Sequence, residues 1–424
     1  MNEVRMMLQM EEKLQQNQLH FHFFDGKKFK TTVIGILLRT PLTKEDVTKT
    51  SLLAEVLKNG CTLYPSKQAV AIKTEEMYGS IFDVSILKKG DEQILFFYFE
   101  FIKCNEDLLE EGIQFLLDMQ KPYAPNNEFP QDVMEREKRF LRKKIQGRKD
   151  NKKEYAKIRC LEEMCQGEAF GVYAEGYEED LEHINGKNLY QHYQKIRKKA
   201  SIEVLFMGEE DQKKIAEKKL KSLEMLEADL WTLPHMNPKM QTGKKKEIKE
   251  VMPVAQSRLC IGFTTGIAPH SREIPSLLVL SELLGGSSSS LLFEEMREKE
   301  GLCYYVNSFL YRLKGILFVQ AGIEADCYDK AIDITENLLQ KLQKEKVSDQ
   351  RLETAKEGLL NYFAQFTDSQ TAQMDFAIDE YLAGTNWSQK RFMKKIERVS
   401  AEDICKISQN VQLDTIYFLQ AEER

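Results

Sequence analysis

Apolar residues fall in short blocks that recur in the same order in the two halves of the chain. A strand-like run over residues 31–38 leads through a proline-containing loop to a helix over residues 51–58, which stops at Asn59-Gly60. In the second half, residues 257–265 lead past Pro269 and Pro275 to a helix over residues 277–284, which stops at Gly285-Gly286. Leu52, Leu53 and Leu57 match Leu278, Val279 and Leu283 at one constant offset, and the two stops obey it as well. Glycine ends a helix because it enters the left-handed conformation without a Cβ clash. Each stop is followed by a further helix and then by two alternating segments. These are 80–87 and 93–101 around the turn Lys88-Lys89-Gly90-Asp91, then 304–311 and 315–321 around Arg312-Leu313-Lys314. Such short connections imply antiparallel neighbours.

Helical periodicity dominates afterwards, over 106–119 and 130–145 in the first half and 328–342 and 348–363 in the second. Each half closes on a strand, 201–207 and 415–419. The repeated order points to a duplication. Strands grouped together and covered by helices predict an α+β fold of two homologous domains, each an antiparallel sheet covered on one face by helices. The segment 233–253 holds three of the ten prolines, the run Lys244-Lys245-Lys246 and little apolar periodicity. The expected division is therefore a first domain over 1–232, a linker over 233–253 and a second domain over 254–424.

Composition narrows the function classes. The chain has 424 residues, 42% hydrophobic and 30% charged, as in ordinary globular proteins with more than one core. A formal net charge of -6 argues against nucleic acid as the main partner. Basic residues between Arg136 and Arg159 are interspersed with acidic ones and read as a solvated helix face. The N-terminus, MNEVRMMLQMEEKLQQ, lacks the apolar core of a secretory signal, and no stretch is long and apolar enough for a membrane span. Eight scattered cysteines without a C-x-x-C pair read as reduced thiols, so the expected compartment is the cytoplasm.

Candidate chemistry concentrates in LLGGSSSSLLFEEMREKEGLCYY, residues 283–305. A helix ends at Gly285-Gly286, a serine run follows, a second amphipathic helix carries Arg297, Gly301 breaks it, and Tyr304 opens a strand seven residues after Arg297. The serines lack the Lys-Ser/Thr of a phosphate-binding loop and do not sit in G-x-S-x-G, so turn and helix-start roles account for Ser287–Ser290. On composition alone, Arg297 is one more charge in a solvated run and Tyr304 a strand aromatic. The whole run, however, resembles the second-domain signature of the pitrilysin/insulinase family of zinc metallopeptidases, the inverzincins. The resemblance covers most of the chain, from about Phe29 to the end, and is specific around 283–305.

That family carries H-x-x-E-H on a first-domain helix, with two zinc-binding imidazoles on one face and a glutamate as general base. Anchored on the glycine that ends the helix, the matching residues here are Ser51, Leu52, Leu53, Ala54 and Glu55. The family's third ligand, on a later helix, falls on or beside Lys144, whose ammonium would repel a dication. None of the six histidines forms an i, i+4 pair, and His20-x-His22 would share a face only on a strand. No metal is therefore expected in this chain. The resemblance implies that Arg297 and Tyr304 occupy the positions from which active members hydrogen-bond the substrate peptide and stabilise the tetrahedral intermediate. It also implies a clam-shell chamber and a heterodimer. A homologous partner with H-x-x-E-H would supply the zinc and base, and this chain would supply Arg297 and Tyr304 in trans to a peptide substrate. Two alternatives are a peptidase-fold scaffold or peptide-binding protein with no proteolytic role, and an independent peptidase with an unrecognised metal site.

Overall fold

A computed structural model describes residues 18–103, 106–225, 229–240 and 244–422. The N-terminal stretch bearing on a secretory signal lies outside the described residues, as do residues 241–243 of the expected linker. The chain forms two compact units, Met1–Gln146 with Val172–Pro234, and Gly147–Gly171 with His235–Arg424. The second unit thus takes in a segment of the first half of the chain.

In the first unit, strands β1 (Leu19–Asp25), β2 (Thr31–Pro41), β3 (Ile81–Lys89), β4 (Glu92–Ile102) and β5 (Ser201–Gly208) form a sheet in the order β1-β5-β2-β4-β3. All pairs are antiparallel except β1 with β5, so each sheet residue set is fixed by alternation. Ile34, Ile36 and Leu38 of β2, Phe97, Phe99 and Phe101 of β4, and Ile202, Val204 and Phe206 of β5 share one buried core. Helices α1 (Val47–Leu57), α2 (Lys67–Glu76), α3 (Glu106–Met119), α4 (Gln131–Gln146), α5 (Lys152–Met164), α6 (Gly186–Lys199) and α7 (Lys213–Leu220) follow in chain order. All but α5 contribute apolar residues to that core. Helix α1 buries nine of its eleven residues. A helix buried nearly all round is a core element, with no face left to water.

At the base of α1, Thr50 Oγ1 lies 2.9 Å from His192 Nε2 of α6, and Lys195 donates to Asp46 at 2.9 Å. Burial pushes the His192 imidazole down to about 4, against the opposing pull of the Asp46 carboxylate. The imidazole is therefore neutral at neutral pH.

The second sheet, β6 (Lys246–Met252), β7 (Ser257–Thr264), β8 (Cys303–Tyr311), β9 (Ile316–Ile323) and β10 (Gln412–Ala421), has the order β6-β10-β7-β9-β8. Position for position this is the order of the first sheet, including the parallel edge pair β6–β10. Each sheet is therefore mixed at one edge, where the sequence predicts purely antiparallel pairing. Residues 246–252, within the expected linker, form that edge strand. Helices α8 (Ile274–Gly285), α9 (Tyr328–Lys344), α10 (Asp349–Gln365), α11 (Gln370–Leu382), α12 (Gln389–Glu397) and α13 (Ala401–Ser408) complete the unit. Among the described residues no helix is long and apolar enough to cross a membrane.

Leu259, Ile261 and Phe263 of β7, Leu317 and Val319 of β9, and Ile416 and Phe418 of β10 pack with residues of α8–α10, α12 and α13. The alternate residues Cys260, Ile316, Phe318, Tyr417 and Leu419 form a separate cluster with Tyr155, Ala156, Cys160, Leu161 and Met164 of α5. Alternation puts the two clusters on opposite faces, so the second sheet is covered on both faces rather than one. A Cβ at Gly262 would stand 2.6 Å from Met164 Sδ, so glycine lets the methionine lie against the strand.

Two measurements check this packing. Because burial depresses the folded pKa of His192, the unfolded chain binds a proton that the folded chain refuses between about pH 6.5 and 4. Stability should therefore be fully present above pH 6.5 and fall as pH drops through that window. At 1.36 kcal/mol per unit the gap amounts to about 3 kcal/mol. Urea unfolding at pH 7 and pH 4.5 should show this extra loss in the parent chain and not in His192→Gln; equal losses would mean the histidine is charged in the fold. Separately, Met164→Ala should leave a cavity against β7 and lower the unfolding free energy of the second unit by about 2–5 kcal/mol. A shift under about 1 kcal/mol in denaturant melts would show that α5 contributes little to that core.

Candidate functional site

The four positions that the sequence resemblance sets against the family's zinc ligands and base, Ser51, Ala54, Glu55 and Lys144, lie on α1 and α4, and each is engaged in other contacts. Ser51 Oγ is 2.9 Å from the carbonyl of Val47 and 2.8 Å from that of Ala174. Gln93 Nε2 donates toward Ser51 Oγ at 3.3 Å, Ala174 O at 3.0 Å and Val47 O at 3.2 Å. A buried amide thus occupies the space beside Ser51 that a larger side chain would need. Ala54 is buried in the apolar core and carries no donor. Glu55 faces Lys58 at 3.2 Å, and Lys58 also reaches Asp83 at 3.1 Å. Burial opposes the charge on Lys58, but the two carboxylates outweigh it and raise its pKa. Lys144 is exposed on α4 and pairs with Glu175 at 3.2 Å.

Ala174 and Glu175 are neighbours, so a single loop contacts both the Ser51 and the Lys144 positions. Its seat depends on Gly176, at φ +83, where a Cβ would fall 2.2 Å from Thr48 Oγ1. Thr48 also accepts from the Tyr177 N–H at 3.0 Å and donates to Asp180 at 2.6 Å. Zinc in proteins takes three or four thiolate, imidazole or carboxylate donors at about 2.0–2.3 Å. The four positions supply one carboxylate already facing a lysine, one hydrogen-bonded hydroxyl, one methyl group and one ammonium. This donor set does not fit zinc. Among the described residues no group of three or more His, Cys, Asp or Glu side chains is gathered to hold a metal ion.

His20 and His22 do lie on a strand and share a face. Both turn to buried Glu203, at 3.3 and 2.8 Å, and Arg39 bridges Glu203 and Glu92 at 3.0 and 2.7 Å. Burial would raise the Glu203 pKa, but hydrogen bonds from His20 and His22 and the charge of Arg39 hold it well below the carboxylate range. The two histidines belong to a buried charge network.

Arg297 and Tyr304 come together. The Arg297 guanidinium sits 4.7 Å from the Phe293 ring centroid and 5.3 Å from that of Tyr304, within cation–π range of both. Phe293–Lys299 is a π-helical turn rather than the α-helix predicted from its pattern, closed by Glu300 N–H donating to Glu295 O at 3.1 Å. Gly301, at φ +63, then lets Leu302 N–H reach Met296 O at 2.7 Å. Of the glutamates around Arg297, Glu294 pairs with Arg351 at 2.7 Å, Glu295 with Lys299 at 2.7 Å, and Glu300 with Lys330. Arg297 itself has no carboxylate partner among the described residues.

Tyr304 owes its position to a β-bulge. Cys303 pairs with Ile323 and Tyr305 with Gly322, so Tyr304 is an extra residue on β8. Cys303 and Val306 consequently lie in the same core although three residues apart, which plain alternation forbids. Tyr304 is left 75% exposed. Tyr305 is turned the other way, with Lys153 of α5 at 4.3 Å and Arg258 at 5.6 Å from its ring, and burial pushes its phenol up to about 12. Sequence reasoning did not single out Phe293, Gln93 or the loop at Ala174. Phe293 has a legible signal, since it precedes Arg297 by one helical turn. Gln93 and Ala174 come from distant segments and have none.

The family described as "Peptidase M16 inactive domain" matches residues 183–359. A Bacillus subtilis protein described as "Probable inactive metalloprotease YmfF" is 30% identical over 410 residues, covering 95% of this chain and 96% of that protein. A second B. subtilis protein, "Uncharacterized zinc protease YmxG", is 24% identical over 309 residues, 70% of this chain and 72% of that one. Among solved structures, a conserved protein from Enterococcus faecalis V583 matches with a TM-score of 0.89 at 21% identity, covering 96% of this chain and 97% of that one. At 30% identity to the first of these B. subtilis proteins over nearly its whole length, the chain belongs to the M16, or pitrilysin/insulinase, peptidase family as a peptidase-like member.

Proposed function

We propose that this chain is the non-catalytic subunit of a heterodimeric zinc peptidase, and that Arg297 and Tyr304 act in trans on a peptide bound at the zinc site of a homologous partner carrying H-x-x-E-H. The observation that carries this reading is the state of the Arg297–Tyr304 pair. Phe293 and Tyr304 both hold the guanidinium within cation–π range, Glu294, Glu295 and Glu300 are paired with other cations, and the bulge carries the phenol out to solvent. Holding a desolvation-prone aromatic at 75% exposure beside an unpaired arginine has no evident use in stabilising the fold. It suits a pair waiting for an oxygen ligand.

The chemistry is that of peptide hydrolysis. Attack on the scissile carbonyl develops negative charge on its oxygen, and pre-positioned N–H and O–H donors lower the barrier because they need no reorganisation. Arg297 supplies a charge-assisted donor and Tyr304 a phenolic one. Strand β8, at whose start Tyr304 stands, is an edge strand of its sheet. An extended peptide can pair with such an edge through backbone hydrogen bonds that are indifferent to sequence. The partner supplies the metal and the base, consistent with a donor set here that fits neither role. That B. subtilis holds both a probable inactive metalloprotease and a zinc protease similar to this chain supports a pair of this kind. We assign the complex to the cytoplasm, in keeping with the free thiols of the seven described cysteines.

Co-purification from cell extract should recover a homologue with the H-x-x-E-H motif, and the complex should cleave unstructured peptides. Arg297→Ala and Tyr304→Phe should each lower kcat by about 10²-fold without dissociating the complex. Full activity in the double variant would remove the trans role and leave a scaffold. The isolated chain, dialysed against zinc and washed, should retain no stoichiometric metal by elemental analysis and cleave no peptide. Stoichiometric zinc would place a metal site in this chain.

A further inference from the structure

A cleft of about 280 Å³ opens in the second unit beside the start of α8 and against α12 and α13. Its walls carry four cations, Arg272, Lys395, Arg398 and Lys406, and two carboxylates, Glu273 and Asp403. Both carboxylates are engaged. Asp403 Oδ2 accepts from the Ser400 N–H at 2.9 Å and hydroxyl at 2.7 Å in the capping box of α13, and Glu273 lies 3.9 Å from Lys406. Arg272, Lys395 and Arg398 have no carboxylate partner among the described residues.

The nearby buried carboxylate, Glu380, does not neutralise them. It accepts from Arg312, from Thr385 Oγ1 and from the Trp387 N–H, so its charge is already committed. Lys395 rests instead on the Trp387 ring at 4.3 Å. Burial, and then the charges of Arg391, Arg272 and Arg398, hold its ammonium below its usual pKa. Cations that repel one another in a concave site lower their free energy by taking up an anion.

We propose that this cleft binds the phosphoryl group of a small ligand, with the Arg272 and Arg398 guanidiniums as its principal donors and Lys395 and Lys406 as flanking charges. Guanidinium forks match phosphate oxygens in pairs, and ammonium groups add charge without demanding one geometry. The volume lies just under the roughly 300–1,000 Å³ typical of drug-sized ligands, which favours a small anion over a polymer. The acidic net charge opposes attraction to an anionic membrane or to nucleic acid. The site shares no residue with the Arg297–Tyr304 pair and does not depend on the peptidase reading.

Calorimetric titration of the full chain at low salt with inorganic phosphate, pyrophosphate and glycerol phosphate tests it. Saturable binding of one anion per chain is expected, weakened by added chloride and weakened at least about tenfold in Arg272→Gln/Arg398→Gln. Tighter binding of glycerol phosphate than of inorganic phosphate would identify an esterified ligand, and the reverse order free phosphate. Both arginines are exposed, so the double variant should keep the parent's thermal melt, and that melt is the control for folding. No saturation at millimolar anion, unchanged affinity in the double variant, or association with phosphatidylglycerol vesicles without affinity for the three soluble anions would overturn the proposal.

Discussion

The second sheet has two apolar faces, and water can be kept from both only if something covers each. Helices α8–α10, α12 and α13 cover one. The other, with Phe318 and Tyr417 fully buried at its centre, is covered by α5, a helix from the first half of the chain. Leaving two such aromatics exposed would cost several kcal/mol, so this coverage is a condition of the unit's stability. It also bears on the candidate site. Lys153 of α5 packs on the Tyr305 ring and Gln320 donates to the Lys153 carbonyl at 2.7 Å, which fixes one side of β8. With Tyr305 held on that side, the bulge is what releases Tyr304 from the core side and sets it beside Arg297.

The first unit satisfies the positions expected for metal ligands by contacts of another kind. A helix buried at nine of eleven positions cannot simply drop large polar ligands and leave holes. Here the Ser51 hydroxyl, the Gln93 amide and the Ala174 carbonyl satisfy one another, Ala54 merges with the core, and Glu55 and Lys144 each find an opposite charge. Every polar group placed there has a partner, which is the requirement that burial imposes. The result is a closed set of local contacts in which no group is left poised as an acid, base or ligand.

Much of this is legible in sequence because it rests on short-range periodicity. The duplicated order of elements, the α+β class, helix α3 and the spans of α4, α9 and α10 to within about two residues follow from apolar spacing and glycine stops. The pairing of Arg297 with Tyr304 is implied by the family resemblance of residues 283–305 and not by their spacing alone. Other features are fixed by partners far along the chain. The edge strands β1 and β6 pair in parallel with β5 and β10, about 180 and 170 residues away, and the charged alternation of KEIKEVM looks like a linker when its partner is unknown. A π-helical turn differs from an α-helix by one hydrogen-bond step and leaves no mark on apolar periodicity. The bulge at Tyr304 shows only as Cys303 and Val306 both being buried, which requires knowing the register.

The loan of residues 147–171 has a temporal meaning. A chain emerges from the ribosome N-terminus first, so α5 is synthesised before any strand of the sheet it covers, and its apolar stripe of Tyr155, Ala156, Leu161 and Met164 is not fully covered until β10 is made. The sheet in turn cannot bury Tyr417 without a segment made some 250 residues earlier, a closure of high sequence separation that slows folding. During translation the nascent protein therefore carries an incompletely covered apolar helix while its second half is being made, and this interval, rather than the finished molecule, is where chaperone dependence and aggregation risk concentrate.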